Sequence, residues 1–156
     1  MLVKTYGSAV YGVEAITIAV EVNINNQGKS DAVIVGLPDS AVKESMQRVE
    51  SAIKANHYFM PRTKLVVNLA PADIKKSGTA FDLPIAIGTL GASEQIENPE
   101  KLAEYVIMGE LSLDGTVRSI KGALPIAIQA RKENFKGLIV PLQNAREAAM
   151  VNNLHV

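Results

Sequence analysis

Residues Ile74 to Ile87 read IKKSGTAFDLPIAI: two lysines, a Ser-Gly-Thr turn, then an apolar run with one proline inside it. This stretch decides what the rest of the chain folds around. Leu83 to Ala92 is apolar nearly all round, so it predicts a central, buried helix rather than a surface one. Asp82 sits at its start and is a candidate cap, and Pro84 falls in the first turn, where a missing amide costs little. Upstream, KLVVNLA (Lys64 to Ala70) predicts a short strand that Pro71 ends, because proline donates nothing to a ladder.

The clearest amphipathic helix is PDSAVKESMQRVESAIKAN. Val42, Met46, Val49 and Ile53 recur at helical spacing and form its core face. Asp39 or Ser40 is placed to accept orphan amide hydrogens, and Asn56 to stop the helix. Val13 to Asn23 alternates and is rich in β-branched residues, which predicts a strand. AVIVGL predicts a second, more buried strand, paired with the first as a hairpin closed at Asn25 to Ser30. Later come a strand from Tyr105 to Leu111, a turn at Asp114-Gly115, a helix in GALPIAIQARKEN, a strand in GLIVP and a short helix in QNAREAAMVNN. ENPEKLAE reads as a polar surface segment, and no element is read in the first twelve residues. The alternation predicts an α/β (α+β) domain, a mixed β-sheet packed by about four helices.

Composition narrows the chemistry. The 156 residues contain no cysteine and two histidines far apart, so thiolate chemistry is excluded and no metal-ligand spacing appears. Lysine plus arginine equals aspartate plus glutamate at 16 each, which argues against a strong nucleic-acid binder acting alone. The N-terminus lacks a secretory pattern, and no apolar run reaches the ~20 residues of a membrane span, so a cytoplasmic location is expected.

The opening turn itself admits several readings. A phosphate loop needs lysine followed by Ser/Thr at the helix start. Here the lysines precede the turn, and Asp82 at the helix start repels anions. A Ser-Lys hydrolase needs a hydroxyl beside a desolvated amine. Ser77 or Thr79 supplies the hydroxyl and Lys75, Lys76 or Lys121 the amine, and nothing in the sequence brings them together. A nucleic-acid module would use Arg62, Lys64, Lys75, Lys76, Arg118 and Lys121, with only Tyr58 and Phe59 near for base stacking. The plain alternative is a turn flanked by solvated lysines.

KKSGTAFDLPIAIGTL, IMGELSLDGTVRSIKGALPIAIQA, GLIVPLQN and IVGLPDSAVKESMQRVESAI together resemble the N-terminal domain of the ComM/YifB family, magnesium-chelatase-related AAA+ proteins. The resemblance covers nearly the whole chain. It implies a single domain over 1–156 similar to the Lon proteolytic domain and the second domain of ribosomal protein S-five, with a left-handed crossover that departs from the usual rule. Laying Gly78 on the glycine of Lon's turn puts Ala80 at the serine position. Laying SIKGAL on the Lon segment that carries the lysine puts Leu124 there. The resemblance therefore implies no catalytic residue, no cofactor and no metal in this chain.

It further implies an AAA+ module beyond Val156 that uses ATP and Mg, and a ring-forming homo-oligomer. The whole protein would act in ATP-dependent DNA branch migration, with weak DNA contact by this domain and no membrane. The competing classes are a serine-type hydrolase using Ser77 or Thr79 and a direct nucleic-acid-binding module.

Overall fold

A computed structural model describes residues 1–156. The chain begins with a strand the sequence reading missed. β1 (Leu2–Tyr11) turns at Gly12-Val13 and pairs antiparallel with β2 (Glu14–Asn25) along its whole length, from Leu2↔Asn23 to Tyr11↔Glu14. Its burial alternates only in the first half, and small residues at Gly7, Ser8 and Ala9 obscure the period-two signal.

The expected hairpin between β2 and AVIVGL is corrected. β3 (Ala32–Val35) pairs in parallel with β4 (Lys64–Ala70), and β4 lies between it and β2. β3 is also an exposed edge rather than a buried strand. An all-apolar run fits either a strand buried on both faces or a short edge, and periodicity does not separate the two.

The remaining order is α1 (Ser40–Lys43), α2 (Ser45–Ala55), α3 (Asp82–Ala92), a 3-10 turn (Pro99–Glu104), β5 (Tyr105–Ile107), β6 (Glu110–Leu111), β7 (Val117–Arg118), α4 (Ala123–Lys132), β8 (Gly137–Ile139) and α5 (Leu142–Ala148). The main sheet is six-stranded and mixed, in the order β3-β4-β2-β1-β5-β8, and β6-β7 form a small hairpin beside it. The expected Tyr105–Leu111 strand is therefore two, broken after Ile107.

Val42, Met46, Val49 and Ile53 are all buried, as their spacing requires. α3 lies against β1 and β2, with Ile85, Ala86 and Leu90 in the core. Gly88 permits that approach, because a Cβ there would stand 2.7 Å from Val22 Cγ2. Asp39 is the N-cap of α1, its Oδ1 accepting from the Val42 amide at 2.8 Å.

Asp82 does not cap α3. It is the first helical residue, and its carboxylate points inward, fully buried. It accepts from Ser45 Oγ at 2.6 Å, Arg48 Nε at 2.6 Å, Arg48 Nη2 at 3.0 Å and the Leu111 amide at 3.0 Å. The Arg48 guanidinium is raised further above its ordinary value, mainly by its hydrogen bond to Asp82. One ion pair thus ties α2, α3 and β6 together.

Candidate functional site

The GLPDS loop and the IKKSGT turn, read separately in the sequence, are stitched to each other. The Lys76 amide donates to Leu37 O at 3.0 Å, and the Asp39 amide donates to Lys76 O at 2.9 Å. Asp39 Oδ2 accepts from the Gly78 amide at 3.3 Å, so one carboxylate caps α1 and holds the turn. Gly36 has φ +105°, and a Cβ there would collide with the Leu69 carbonyl, so only glycine lets this loop cross β4.

Lys76 departs most from the sequence reading. It is 0% exposed, and its ammonium donates to Gly36 O, at 2.9 Å, and to Pro71 O. Burial lowers its pKa, and Asp73 partly opposes that shift. The expectation that Lys76 meets a nucleic acid is therefore corrected: its ammonium is enclosed and its donors point at backbone. The turn signals around it announce a loop. They say nothing of the loop's being folded over its own lysine.

The other basic candidates do not form one surface. Arg62 and Lys64 lie at the start of β4, and Lys75 lies beyond its end. The strand's seven residues at about 3.3 Å each separate them by roughly 20 Å. Arg118 sits on the small hairpin, its Nε on Ser112 Oγ at 2.6 Å and its Nη1 3.9 Å from Glu110. Lys75 and Lys121 are exposed, and Tyr11 Oη donates to Lys75 O at 2.8 Å. Tyr58 and Phe59 are about half exposed beside Arg62, away from Lys75 and Lys121.

A cleft of about 350 Å³ opens where the end of β1 meets the turn. Ser8–Tyr11 form its floor, Ser77–Phe81 one wall and Ser119–Lys121 another, with Met108 and Glu110 at the back. Each wall is fixed by a side chain outside it. Asp39 and Lys76 hold the turn. Asn144, almost fully buried, holds Ile120 by accepting from its amide and donating to its carbonyl, each at 2.9 Å. That second clamp had no sequence signal.

Ser77, Thr79 and Ser119 are the hydroxyl residues of its walls, with Lys121 as its lysine and Glu110 as its carboxylate, while the Ser8 hydroxyl turns away to donate to Ile16 O at 3.3 Å. Ala80 stands in its wall. Leu124 does not line it. That side chain borders a separate depression with Ile128, Arg131 and Met150, and its amide donates to Glu147 Oε2 at 3.0 Å. The Lys76 ammonium turns away toward Gly36 and Pro71, so it is not offered to Ser77 or Thr79.

Comparison with known proteins agrees with this architecture. Residues 20–144 match the family described as subunit ChlI of Mg-chelatase. The chain is 41% identical over 152 residues to competence protein ComM of Haemophilus influenzae, covering 97% of this chain and 29% of that protein. It is 45% identical over 144 residues to the uncharacterized protein YifB of Escherichia coli, covering 92% and 28%. A Lon protease of Citrifermentans bemidjiense is 23% identical over 128 residues, 78% of this chain and 16% of that one. The chain belongs to the ChlI, Mg-chelatase-related family and matches the N-terminal part of the ComM and YifB proteins, with a Lon-like fold. It spans under a third of the length of those relatives. No helix is long and apolar enough to cross a membrane.

Proposed function

We propose that this chain serves as a non-catalytic N-terminal domain of a magnesium-chelatase-related AAA+ ATPase. On this reading an ATPase module follows Val156, binds ATP and Mg, and assembles the cytoplasmic protein into a ring. The whole acts in ATP-dependent DNA processing, branch migration in natural transformation being the form its likeness to ComM suggests.

One observation carries the reading for the chain itself. Ala80, the position that the resemblance to the Lon domain aligns with the nucleophile, lines the cleft with a methyl group, and the Lys76 ammonium of the same turn is bound to backbone carbonyls.

The test treats the chain with a fluorophosphonate probe and with fluorescent casein, with and without ATP. Ser77 and Thr79 should stay unmodified and the casein uncut. Stoichiometric labelling of either hydroxyl would overturn the reading and make this a serine-type hydrolase. The coding sequence after Val156 should hold a Walker loop followed by an acidic metal ligand. Its absence would remove the ATPase part.

A further inference from the structure

β1 outruns its partner on one side. It pairs with β2 along its whole length, but with β5 only at Tyr6↔Val106. β5 is pulled away after Ile107. The Met108 amide donates to Ile139 O at 3.0 Å, the Gly109 amide to Ala80 O at 2.9 Å, and Gly109 O accepts from the Leu83 amide at 3.0 Å. These bonds fasten the departing chain to β8 and to α3, and the cleft is the gap left behind.

The direction of the β1 backbone in that gap follows from the pairing. Tyr11↔Glu14 closes the hairpin across the two residues Gly12 and Val13, so Tyr11, Ala9 and Gly7 exchange hydrogen bonds with β2. Val10, Ser8 and Tyr6 therefore point their N–H and C=O groups the other way. Two facts agree: Tyr6 is the residue bridged to β5, and the Ser8 amide donates to Met108 Sδ at 3.3 Å. The Ser8 carbonyl and the Val10 amide and carbonyl thus face the cleft with no backbone partner. An acceptor followed two residues later by a donor, on one strand edge, is what one more extended strand binds.

We propose that this cleft binds an extended peptide segment by strand addition to Ser8–Val10. The bound segment lies between the Ser77–Ala80 and Ser119–Lys121 walls. Main-chain hydrogen bonds supply the attraction, so sequence preference is modest. The small side chain of Ala80 leaves room for the peptide residue facing it, and Lys121 and Glu110 supply one charge of each sign. The walls are already held by Asp39, Lys76 and Asn144, so little ordering is needed on binding. The proposal rests on the non-catalytic reading only in that the peptide is released uncut.

The experiment uses the 15N-labelled 156-residue chain, titrated to about millimolar concentration with a soluble, fluorescein-tagged alternating Val-Thr heptapeptide. A second heptapeptide carries N-methyl groups on every amide, so that neither of its edges can donate. The Val10 amide should exchange quickly in the free chain and become protected on addition of the first peptide, with shifts confined to Ser8–Tyr11, Ser77–Ala80 and Ser119–Lys121. The N-methylated peptide should bind about tenfold more weakly, the loss expected for one or two backbone hydrogen bonds. Val10→Pro removes the open donor at a strand edge, where proline is tolerated. Ala80→Arg fills the cleft without touching β1. Each should weaken binding at least about tenfold while the melting curve shows the variant folded.

Unchanged Val10 exchange at saturating peptide, or equal binding of the N-methylated peptide, overturns the proposal. So does Val10 protection that follows chain concentration alone, since the edge then pairs a second copy, or protection produced by oligothymidylate. Recovery of cleaved heptapeptide by mass spectrometry leaves the binding inference standing and overturns the non-catalytic reading, so the two failures are distinguishable.

Discussion

Arg48 Nε and Asp82 Oδ2 meet at 2.6 Å, with Asp82 fully buried and Arg48 four-fifths buried. Arg48 Nη2 also donates to Ala41 O at 3.0 Å, so its fork links α1 to α3 from its place on α2, the helix that packs on α3. Removing one partner of such a buried pair costs about 3–5 kcal/mol, because the other is left as an uncompensated charge. Asp82→Ala should lose stability on that scale in urea denaturation. Arg48→Lys should fail to preserve it, since a single ammonium does not span Asp82 and Ala41 O together. A melting curve for Asp82→Ala unchanged from wild type would remove the pair from the list of fold determinants.

Val49 is 0% exposed at the centre of the α2 face, and Val13 is 89% exposed at the β1–β2 turn. Val49→Asp should unfold the chain or lower its melting temperature steeply, because a buried carboxylate without a partner is costly. Val13→Asp should change it little. Similar behaviour of the two variants would mean that the α2 register is wrong.

Lys76→Met keeps the apolar stem and leaves Gly36 O and Pro71 O without their donor, a loss of about 1–3 kcal/mol near neutral pH. The pH dependence has a definite sign. Burial lowers the Lys76 pKa from 10.5, so in the alkaline range below that value the native state holds fewer protons than the unfolded chain. Wild-type stability should therefore rise with pH between the lowered pKa and 10.5, relative to Lys76→Met, as that penalty is relieved. Urea titrations at intervals from about pH 7 to about pH 10 measure it. A difference that shrinks as pH rises contradicts the assignment.

ATP stabilises a domain only through a site that binds it, by RT ln(1 + [L]/Kd). Millimolar ATP with magnesium should not raise the melting temperature of the 156-residue chain beyond a salt control of equal ionic strength. A concentration-dependent rise would place a nucleotide site in this domain.

DNA binding by the chain alone should be weak and steeply salt-dependent. With Lys76 enclosed, Lys75 and Lys121 are exposed cations at the cleft end, Arg118 is held near Glu110 on the hairpin, and Arg62 and Lys64 act separately at the other end of β4. Lys75→Glu/Lys121→Glu should flatten the log-log salt slope on duplex DNA by about two units, since each phosphate contact contributes about 0.9. Fluorescence anisotropy at several salt concentrations reads the slope. Tight, salt-insensitive, sequence-selective binding would mean a different interface.

The sequence determined the elements whose signals are local. The buried face from Val42 to Ile53, which the structure divides between α1 and α2, the apolar α3, the β4 limits at Lys64 and Ala70, and the Asp39 cap all follow from period, propensity and capping within a dozen residues. The same stretch placed Ala80 in the turn and so raised the question of catalysis. Only the tertiary structure decided which strand pairs with which, because hydrophobic pattern fixes a strand's faces and leaves its neighbours open. That is why β3 left its expected hairpin for β4, and why β1, with its run of small residues, went unread. Tertiary structure also decided the fate of charge. Asp82 and Lys76 have the sequence context of a cap and a solvated lysine, yet both are buried, because Arg48 and the Gly36 carbonyl arrive from distant parts of the chain to satisfy them, with the nearby Pro71 carbonyl completing the Lys76 site.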